Sequence, residues 1–599
     1  MNFLHVLGRL APGVPRERAE RELQAVAARV AAEHPGENET DGVWLEGRQE
    51  YLVGDVRAVL LVLLAAVGVL LCLACANTSN LLLARSLERR RELAVRSALG
   101  AGSGRLGAAV LAESLLLALG GGAVGIGLTF AATRLLLRLD PAGLPRPEEI
   151  AVDPRVLLAG GAATLLCGVL CGAVPLLGGA HRVPARAIRE GGGTAGDRRS
   201  GRLQAALVVT QVALATVLLV GAGLLGHSLF RLLSVRPGFE GARVLTARVS
   251  PSPARFAEAA HIDAFYGGLI ERLRALPGVE AAGGTWALPF SHVPASWGGP
   301  TFASSSYAPA GAADPSAAAT VVLAPVRGDY FRAMGMTLLG GRAFTAADGA
   351  AAPPVAVVNE TLARRFWPGE PAVGRRLVKP DSPGSPALTV VGLVTDVKRL
   401  GLDAPVEPEA YLPHSQAVWS HSLFLTVRTA GEPAGLARAL RREVWALDPD
   451  AAITAEAVLS DLVASSAAAP RLRTALLAVF GGAAGLLALI GVYGVLSFAV
   501  TRRLREMAVR LALGAARRRV LQEVLGRGLA LVAAGLVLGG VGAAATTRAL
   551  RSLLFEVAPL DPLTFAAVPA ALLAAGVLAC WAPARRAAAA DPASALREG

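Results

Sequence analysis

The sequence predicts an α-helical integral membrane protein that has an internal repeat and an α+β extracytoplasmic domain. A mean hydropathy of +0.49 with only 18% charged residues is typical of membrane proteins. Seven apolar runs, none with a charged residue, are long enough to cross about 30 Å of hydrocarbon. An eleven-residue segment also occurs twice, with nine positions identical, before and after a long polar region.

The first 57 residues are polar and of mixed composition. They predict a short strand at 4–7 and an amphipathic helix at 16–32, with Leu23, Val26, Ala27 and Val30 on one side. No charged-then-apolar signal peptide follows Met1. Because the topology derived below places this segment outside the cytoplasm, we expect the natural chain to begin further upstream.

The seven predicted spans contain abundant Gly and Ala, which allows helices to approach closely within a bilayer. They cover residues 58–84, 114–133, 156–180, 203–226, 474–501, 528–547 and 562–584. Arginines crowd the connections after the first, third and fifth spans and the C-terminal tail, whereas the connections at 134–155 and 548–561 carry more acidic residues. The positive-inside rule therefore puts the arginine-rich connections in the cytoplasm, and residues 1–57 and 227–473 outside.

The repeat extends beyond the eleven-residue segment. Asp153-Pro154 and Asp561-Pro562 each precede the last span of a unit, and 183–191 resembles 591–599. The repeating unit is one span, a large outer domain, three spans and a basic tail. We therefore predict a remnant of a first outer domain (1–57), a first permease unit (58–180), a cytoplasmic linker (181–202), a leading span (203–226), a complete outer domain (227–473) and a second permease unit (474–599).

The outer segment 227–473 has the alternating and helical patterns of a folded domain. Strands are predicted at 244–249, 355–358, 389–394 and 423–427, and helices at 257–276, 360–366 and 433–447. The Ala/Ser/Pro-rich stretch 304–319 predicts a loose loop. The order of these elements indicates an α+β domain with an inserted subdomain.

The repeated segment reads R-E-x-A-V-R-x-A-L-G-A, at 91–101 and 505–515. Glu92 with Arg96, and Glu506 with Arg510, have the favourable Glu-before-Arg spacing of four on a helix. Gly100 and Gly514 are placed to end that helix in a left-handed C-cap. Each copy thus predicts a short basic helix between two spans. A segment that only fixes the orientation of the spans in the membrane needs positive charge, and its residue order need not be repeated. We therefore favour a docking element for a cytoplasmic partner.

With this doubled segment, the one-plus-three span pattern and the large outer domain, the chain resembles the MacB/FtsX-type ABC transporter permeases in their duplicated, two-unit form. Segments 328–335 and 357–360 are similar to MacB-like outer domains. The resemblance implies that the cytoplasmic segments are coupling helices seated on a separate ABC ATPase, expected as a dimer. The residues that would couple to it are Arg91, Glu92, Arg96, Gly100, Arg505, Glu506, Arg510 and Gly514. It also implies an inner-membrane location and, as optional partners, a periplasmic adaptor or an outer-membrane channel.

The sequence favours no catalytic, cofactor or metal site. Neither Lys379 nor Lys398, the two lysines of the chain, lies in the G-x-x-x-x-G-K-[ST] loop that binds nucleotide phosphates, so we expect no ATPase activity of that type. Cys72 and Cys75 form a C-x-x-C pattern inside a span, where small buried residues are the favoured interpretation over a redox or zinc site. The arginines lie beside apolar runs, which favours contact with lipid over nucleic acid.

Two groups of polar residues in or beside the spans can each be interpreted in two ways. Glu113 and Arg527 occupy equivalent positions of the two units, and either pair with each other across a pseudo-twofold axis or lie separately in helix interfaces. The run 77–80 (Asn-Thr-Ser-Asn) either lines a polar route or makes interhelical hydrogen bonds, and we favour the latter.

The leading functional hypothesis is a permease subunit that couples ATP hydrolysis by its partner to movement of the outer domain and export. The alternative is an ATPase-driven signalling scaffold that controls an extracytoplasmic partner. An enzymatic outer domain is a third hypothesis, for which the sequence offers no pair of nucleophile and base.

Overall fold

A computed structural model describes residues 8–33, 47–88, 103–139, 151–177, 195–291, 303–312, 317–380, 384–418, 420–512 and 516–588, with the isolated positions 43, 45 and 382. The chain divides into two compact units. The outer unit comprises Met1–Asp55 and Ser234–Ala467, and the membrane unit comprises Val56–Leu233 and Ala468–Gly599. The strand predicted at 4–7 lies outside the described residues.

The helices, in chain order, are α1 (Arg16–Glu33), α2 (Arg48–Glu88), α3 (Ser103–Leu139), α4 (Pro154–Leu177), α5 (Ala195–Ser234), α6 (Ala259–Arg274), α7 (Tyr330–Met334), α8 (Glu360–Phe366), α9 (Ala437–Leu447), α10 (Leu459–Ser466), α11 (Ala468–Ala512), α12 (Arg517–Thr546) and α13 (Pro562–Ala588). The strands are β1 (Val244–Ser250), β2 (Val279–Thr285), β3 (Ser304–Pro309), β4 (Ala319–Gly328), β5 (Leu338–Gly341), β6 (Val355–Asn359), β7 (Arg376–Val378), β8 (Leu388–Val394), β9 (Glu409–Pro413), β10 (Leu423–Thr429) and β11 (Ala452–Val458).

The membrane unit confirms the predicted fold class. Within the described residues, seven helices are long and apolar enough to cross a bilayer, and they coincide with the seven predicted runs. They form two sets of three, α2 to α4 and α11 to α13, with α5 as a further span. Large apolar side chains such as Leu116, Leu158 and Leu578 remain exposed on their surfaces, as expected where a helix faces lipid.

The Asp-Pro pairs begin the last helix of each set in the same way. Asp153 Oδ1 accepts a hydrogen bond from the backbone N–H of Val156 at 2.8 Å, and Asp561 Oδ2 accepts one from Thr564 N–H at 2.9 Å. Aspartate satisfies the free N–H groups of the first turn, and proline in the first turn removes a donor that has no partner in the helix. The sequence signature of the repeat therefore has a direct structural basis.

Glycines set the closest helix contacts of this unit. A Cβ atom added at Gly172 of α4 would lie 2.5 Å from the Ser114 hydroxyl of α3. One added at Gly535 of α12 would lie 2.5 Å from the Cβ atom of Val212 on α5. Such distances leave no room for a side chain, so glycine is what allows these helices to touch.

The cysteines differ from the sequence expectation in one respect. Cys171 and Cys580 are buried, but Cys72 of the C-x-x-C pattern is exposed on α2. A thiol is apolar enough to face lipid as readily as a core. The interpretation of this pattern as two small buried residues is therefore wrong for Cys72.

Among the described residues of the outer unit, eleven strands form one continuous sheet that contains a closed ring. The order along the path is β11-β1-β10-β2-β4-β3-β7-β8-β6-β9, and β9 also pairs with β4. The six strands β4, β3, β7, β8, β6 and β9 thereby close on themselves. Strand β4 belongs to both parts, since its last residues pair with β2 through Thr285 and Val326. The inserted subdomain expected from the sequence is this ring.

Each part of the sheet has its own apolar core. The open part packs against α6 and α9, with Phe265, Leu269 and Leu273 of α6 at most 5% exposed. These are residues of the predicted apolar helix face. The ring encloses a second core that includes Val321, Val358 and Leu377, all at 0% exposure, with Leu362 of α8.

The two segments that resemble MacB-like domains perform definite structural roles. Gly328 ends β4 with φ of +64°, and Gly335 ends α7 with φ of +70°, both in the left-handed region that glycine tolerates. Asn359 begins α8, where its side-chain oxygen accepts the Leu362 N–H at 2.9 Å. The same oxygen accepts the Glu409 N–H at 3.0 Å and so joins α8 to β9.

A buried ion pair connects the ring to the open part of the sheet. The guanidinium of Arg399 contacts the carboxylate of Glu409, and both side chains are at most 4% exposed. Arg399 also donates to the Ala287 carbonyl at 2.8 Å, while the Tyr411 hydroxyl donates to Glu409 at 3.0 Å. Burial raises the pKa of Tyr411, so that its hydroxyl remains a donor. Removing one partner of such a pair leaves an uncompensated buried charge.

The prediction of a loose loop at 304–319 is wrong for its first six residues, because β3 occupies Ser304–Pro309 and pairs with β4 from Ser304↔Val322 to Tyr307↔Ala319. Residues 313–316 lie outside the described residues. Pairing across the sheet overrides a composition that is unfavourable for strands. Helix α1 agrees with its prediction, and its apolar residues Leu23, Val26 and Val30 are exposed.

Candidate coupling site

The second copy of the repeated segment continues a membrane span. Helix α11 runs without interruption from Ala468 to Ala512, so that Arg505, Glu506 and Arg510 lie on its last turns. The prediction of a short separate helix is therefore wrong for this copy. Strong helix formers follow Thr501, and no glycine or proline occurs before Gly514, so nothing stops the helix where the apolar run ends. Gly514 itself lies outside the described residues.

The first copy, with Arg91, Glu92, Arg96 and Gly100, lies outside the described residues altogether. Its geometry stays a prediction. What the structure describes of this half is the end of α2 at Glu88 and the start of α3 at Ser103.

Met507 is the buried residue of the second copy. It is 9% exposed and packs with Val500 of the same helix, with Val520 and Val524 of α12 and with Ala584 of α13. This cluster joins the ends of all three helices of the set. The sequence analysis did not single out Met507, although it follows Val500 by seven residues, which is the spacing of an apolar helix face.

A chain of charges lies on the surface beside this cluster. Arg510 Nη1 approaches Glu523 Oε2 of α12 at 3.3 Å, and Arg527 Nη2 donates to the other oxygen of Glu523 at 2.8 Å. All three side chains are between 42% and 56% exposed. Exposed pairs of this kind contribute at most about 1 kcal/mol each, so they orient the helices more than they stabilise them. Glu523 was missed because nothing in the sequence shows that α12 returns alongside Arg510.

The first half uses a different pair for a similar connection. Arg85 Nη1, near the end of α2, donates to Glu113 Oε1 of α3 at 2.6 Å. Glu113 and Arg527 thus each have a partner in their own half, Arg85 and Glu523 respectively. The equivalence of the two positions in sequence does not translate into equivalent pairs.

At this site the structure combines an exposed arginine with a tightly held helix end. Arg510 is 50% exposed while it contacts Glu523, whereas Met507 fixes the same turn against α12 and α13. Within the described residues, no group of three or more His, Cys, Asp or Glu side chains is placed to hold a metal ion.

Comparison with protein families gives a repeated match to the same region. The FtsX-like permease C-terminal model matches residues 64–184 and again 478–592, so that each match contains one copy of the repeated segment. The MacB-like periplasmic core domain model matches residues 205–443 between them. The chain belongs to the MacB/FtsX-type ABC transporter permeases. It is accordingly a multi-pass protein of the inner membrane with a periplasmic domain.

Two curated members of this family cover only part of the chain. An uncharacterized ABC transporter permease of Bacillus subtilis, YknZ, is 30% identical over 138 residues, which are 23% of this chain and 33% of that protein. The macrolide export ATP-binding/permease protein MacB 1 of Aeromonas hydrophila is 29% identical over 298 residues, which are 46% of this chain and 43% of that protein. The chain therefore spans less than half the length of either relative.

Two solved structures similar to this chain are of outer regions. The periplasmic region of MacB from Actinobacillus actinomycetemcomitans is 16% identical and covers 37% of this chain and 93% of its own, with a TM-score of 0.25. The extracellular domain of YknZ is 14% identical and covers 35% of this chain and 100% of its own, with a TM-score of 0.23.

Proposed function

We propose that this chain is the permease subunit of an ABC exporter, and that a separate cytoplasmic ATPase drives it through the two copies of the repeated segment. The observation that carries the proposal is the continuity of α11 from Ala468 to Ala512. A force applied to the exposed Arg510 acts on a helix that crosses the membrane. The buried Met507 transmits the same force to α12 and α13.

The connection of α11 to the outer domain supports the same direction of coupling. A single residue, Ala467, separates α11 from α10, and α10 follows directly on β11. A displacement of the span is therefore transmitted to the sheet with little slack in the chain. The output of the ATPase cycle is a rearrangement of the periplasmic domain that moves substrate on that side of the membrane.

The two copies of the segment offer two seats for the ATPase, which suits a dimer. Arg91, Glu92, Arg96 and Gly100 form the seat in the first half, and Arg505, Glu506, Arg510 and Gly514 form the one in the second. A periplasmic adaptor or an outer-membrane channel would extend the export route beyond the outer domain.

Charge reversal within the segments tests the proposal. The full chain is co-expressed with the ABC ATPase, and the variant carries Glu92→Arg together with Glu506→Arg. We expect the ATPase to be lost from the purified complex and ATP-dependent substrate movement to cease. The matched control reverses two acidic residues of α1 outside the cytoplasm, Glu17→Arg with Glu22→Arg, and keeps both.

Retention of the ATPase by the double reversal would contradict docking at these segments. An ATPase that binds and hydrolyses ATP without any substrate movement, but activates an enzyme outside the membrane, would instead favour the signalling scaffold.

A further inference from the structure

The membrane unit contains a small cavity, bordered by three amide side chains, that the proposed function does not use. Its volume is about 20 Å³, and side chains of α2, α5 and α11 line it. All three helices are predicted spans, and the cavity lies toward the cytoplasmic end of α2. A cavity holds one water molecule when its volume on this measure exceeds roughly 10–15 Å³.

The cavity lies where equivalent positions of the two halves meet. A shift of 414 positions, which superimposes Arg91 on Arg505, superimposes Asn77 on Gly491 and Asn80 on Gly494. The same shift relates two further pairs of lining residues, Leu81 with Val495 and Ala84 with Phe498. The cavity is therefore lined by residues at equivalent positions of the two halves, with Asn77 and Asn80 on α2 and Gly491 and Gly494 on α11.

Three amide side chains at this place have buried atoms without a hydrogen-bond partner among the described residues. Asn80 is 4% exposed, and among the described residues neither its Nδ2 nor its Oδ1 has a hydrogen-bond partner. The same holds for Nε2 of Gln204, which is 7% exposed and lines the cavity with Asn80. Gln211, one heptad further along α5, is fully buried against Gly491, and both of its amide atoms lack a partner within the described chain. The expectation of interhelical hydrogen bonds from the run 77–80 is thus wrong for Asn80.

Unpartnered amides in a bilayer are unfavourable, because lipid supplies neither donors nor acceptors. A water molecule supplies both, and buried waters typically make two to four hydrogen bonds to such groups. Gly494 provides the space, since its nearest side-chain atom, Leu81 Cδ2, is 4.0 Å from where its Cβ would be. A metal cation suits the cavity less well, because amide N–H groups donate hydrogen bonds and do not coordinate a cation. They need a ligand that accepts hydrogen bonds as well as donating them.

We propose that this cavity is a hydration site, in which a bound water molecule bridges the amides of Asn80 and Gln204. The water replaces direct side-chain contacts between α2, α5 and α11. Hydrogen bonds to water tolerate changes of angle better than interlocked side chains do. The three helices can therefore shift slightly at this site without losing their polar contacts.

The test compares two glycine substitutions on α11 in the full chain, using thermal unfolding in detergent. Gly494→Ala places a methyl group in the cavity, whereas the control Gly482→Ala is on the same helix at a position with no described atom within 4 Å. Both gain the helix propensity of alanine. A hydration site predicts that Gly494→Ala melts at least about 2 °C below Gly482→Ala, because the methyl displaces the water. An equal or higher Tm would show a dry void that the methyl fills, and would overturn the proposal.

A second variant separates water from a direct contact. Asn80→Leu has nearly the shape of asparagine and no polar atoms. If the cavity is dry, this variant removes an unpartnered amide and its Tm rises, whereas a hydration site predicts a lower Tm. A lower Tm for Asn80→Leu together with no deficit for Gly494→Ala would indicate a direct hydrogen bond between Asn80 and Gln204, and would also overturn the proposal. Neither variant touches the ATPase-binding segments, so failure of the permease assignment would leave these results unchanged.

Discussion

The two permease halves share their sequence signature but differ in how their middle helices pack. Gly535 and Gly539 of α12 correspond to Gly121 and Gly125 of α3 under the same shift of 414 positions. A Cβ atom at Gly539 would lie 2.6 Å from the Thr216 side chain on α5. For Gly121 and Gly125, no described atom lies within 4 Å.

Each pair of glycines four residues apart forms a glycine stripe on its helix. The comparison shows that such a stripe allows another helix to pack closely but does not by itself mean that one does. In the second half, α5 packs against the stripe, with Val212 facing Gly535 and Thr216 facing Gly539. In the described part of the first half, the equivalent surface of α3 faces no such helix. Identical residues therefore carry different energetic weight in the two halves, and substitutions will show which half depends on them.

The largest expected effect is at the occupied stripe. Gly535→Val with Gly539→Val introduces branched side chains where a single Cβ already meets Val212 Cβ at 2.5 Å. Overpacking usually costs about 1–3 kcal/mol per site, so we expect a loss of several kcal/mol and a clear fall in Tm. The matched variant, Gly121→Val with Gly125→Val, should change stability by less than about 1 kcal/mol. Equal losses in both halves would show that the first stripe also has a helix partner.

The next effect concerns the residues that begin the last helix of each half. Asp561 accepts hydrogen bonds from both the backbone and the hydroxyl of Thr564 and from His227 at 3.2 Å, whereas Asp153 accepts one from Val156. Loss of an N-cap costs about 0.5–2 kcal/mol. We expect Asp561→Ala near the top of this range and Asp153→Ala near the bottom, measured by thermal unfolding. The reverse order would show that the extra partners of Asp561 contribute nothing.

The same aspartate predicts a pH dependence. The hydrogen bond from the Thr564 side chain, with further contributions from Thr564 N–H and His227, lowers the pKa of Asp561. A carboxylate with a lowered folded-state pKa stabilises the protein above its unfolded pKa of about 3.9, and loses that contribution as the pH falls through the folded value. The Tm difference between the wild type and Asp561→Asn should therefore narrow as the pH falls below about 4. A gap that widens in acid would contradict the lowered pKa.

The smallest effect concerns the ion pairs at the cytoplasmic helix ends. Double-mutant cycles on Arg85 with Glu113, and on Arg510 with Glu523, should each give a coupling energy of about 0.2–1 kcal/mol. The first should be the larger, since its distance is 2.6 Å rather than 3.3 Å and Glu113 is 33% exposed against 42% for Glu523. Both couplings should shrink in high salt. A salt-independent coupling would point to packing and not to charge.

Much of this architecture could be predicted from the sequence, because each of the patterns used has a single physical cause. The seven spans were predicted because lipid tolerates no charged residue inside a run of about 20 positions. The strand at 244–249 and the helix at 257–276 were predicted because their apolar residues alternate with the period of one buried face. The Asp-Pro pairs were informative because capping is local to one helical turn.

What the sequence did not reveal depends on contacts between distant segments. Ser304–Pro309 is a strand because β4 lies beside it, and the bare composition favours a loop. Met507 and Glu523 belong to the coupling site only because α12 turns back along α11. Asn80 was expected to hydrogen-bond to a neighbouring helix, and the shape of the cavity that separates it from α11 could not be derived from residue types.

The closed ring of the outer domain limits how a periplasmic partner can recognise it. A ring of six strands has no open edge along its closed path, so an extended peptide cannot join it by backbone pairing there. Among the described strands, two edges remain outside this path, and both are irregular. β5 pairs only with β8, with a register shift between Leu338 and Gly340. β11 has a register shift opposite Thr246 and Arg248 and a φ of +51° at Ala455. Bulged edges resist strand addition. A protein that binds this domain will therefore have to read its side chains and surface shape, which makes recognition depend on residues that can diverge while the fold is kept.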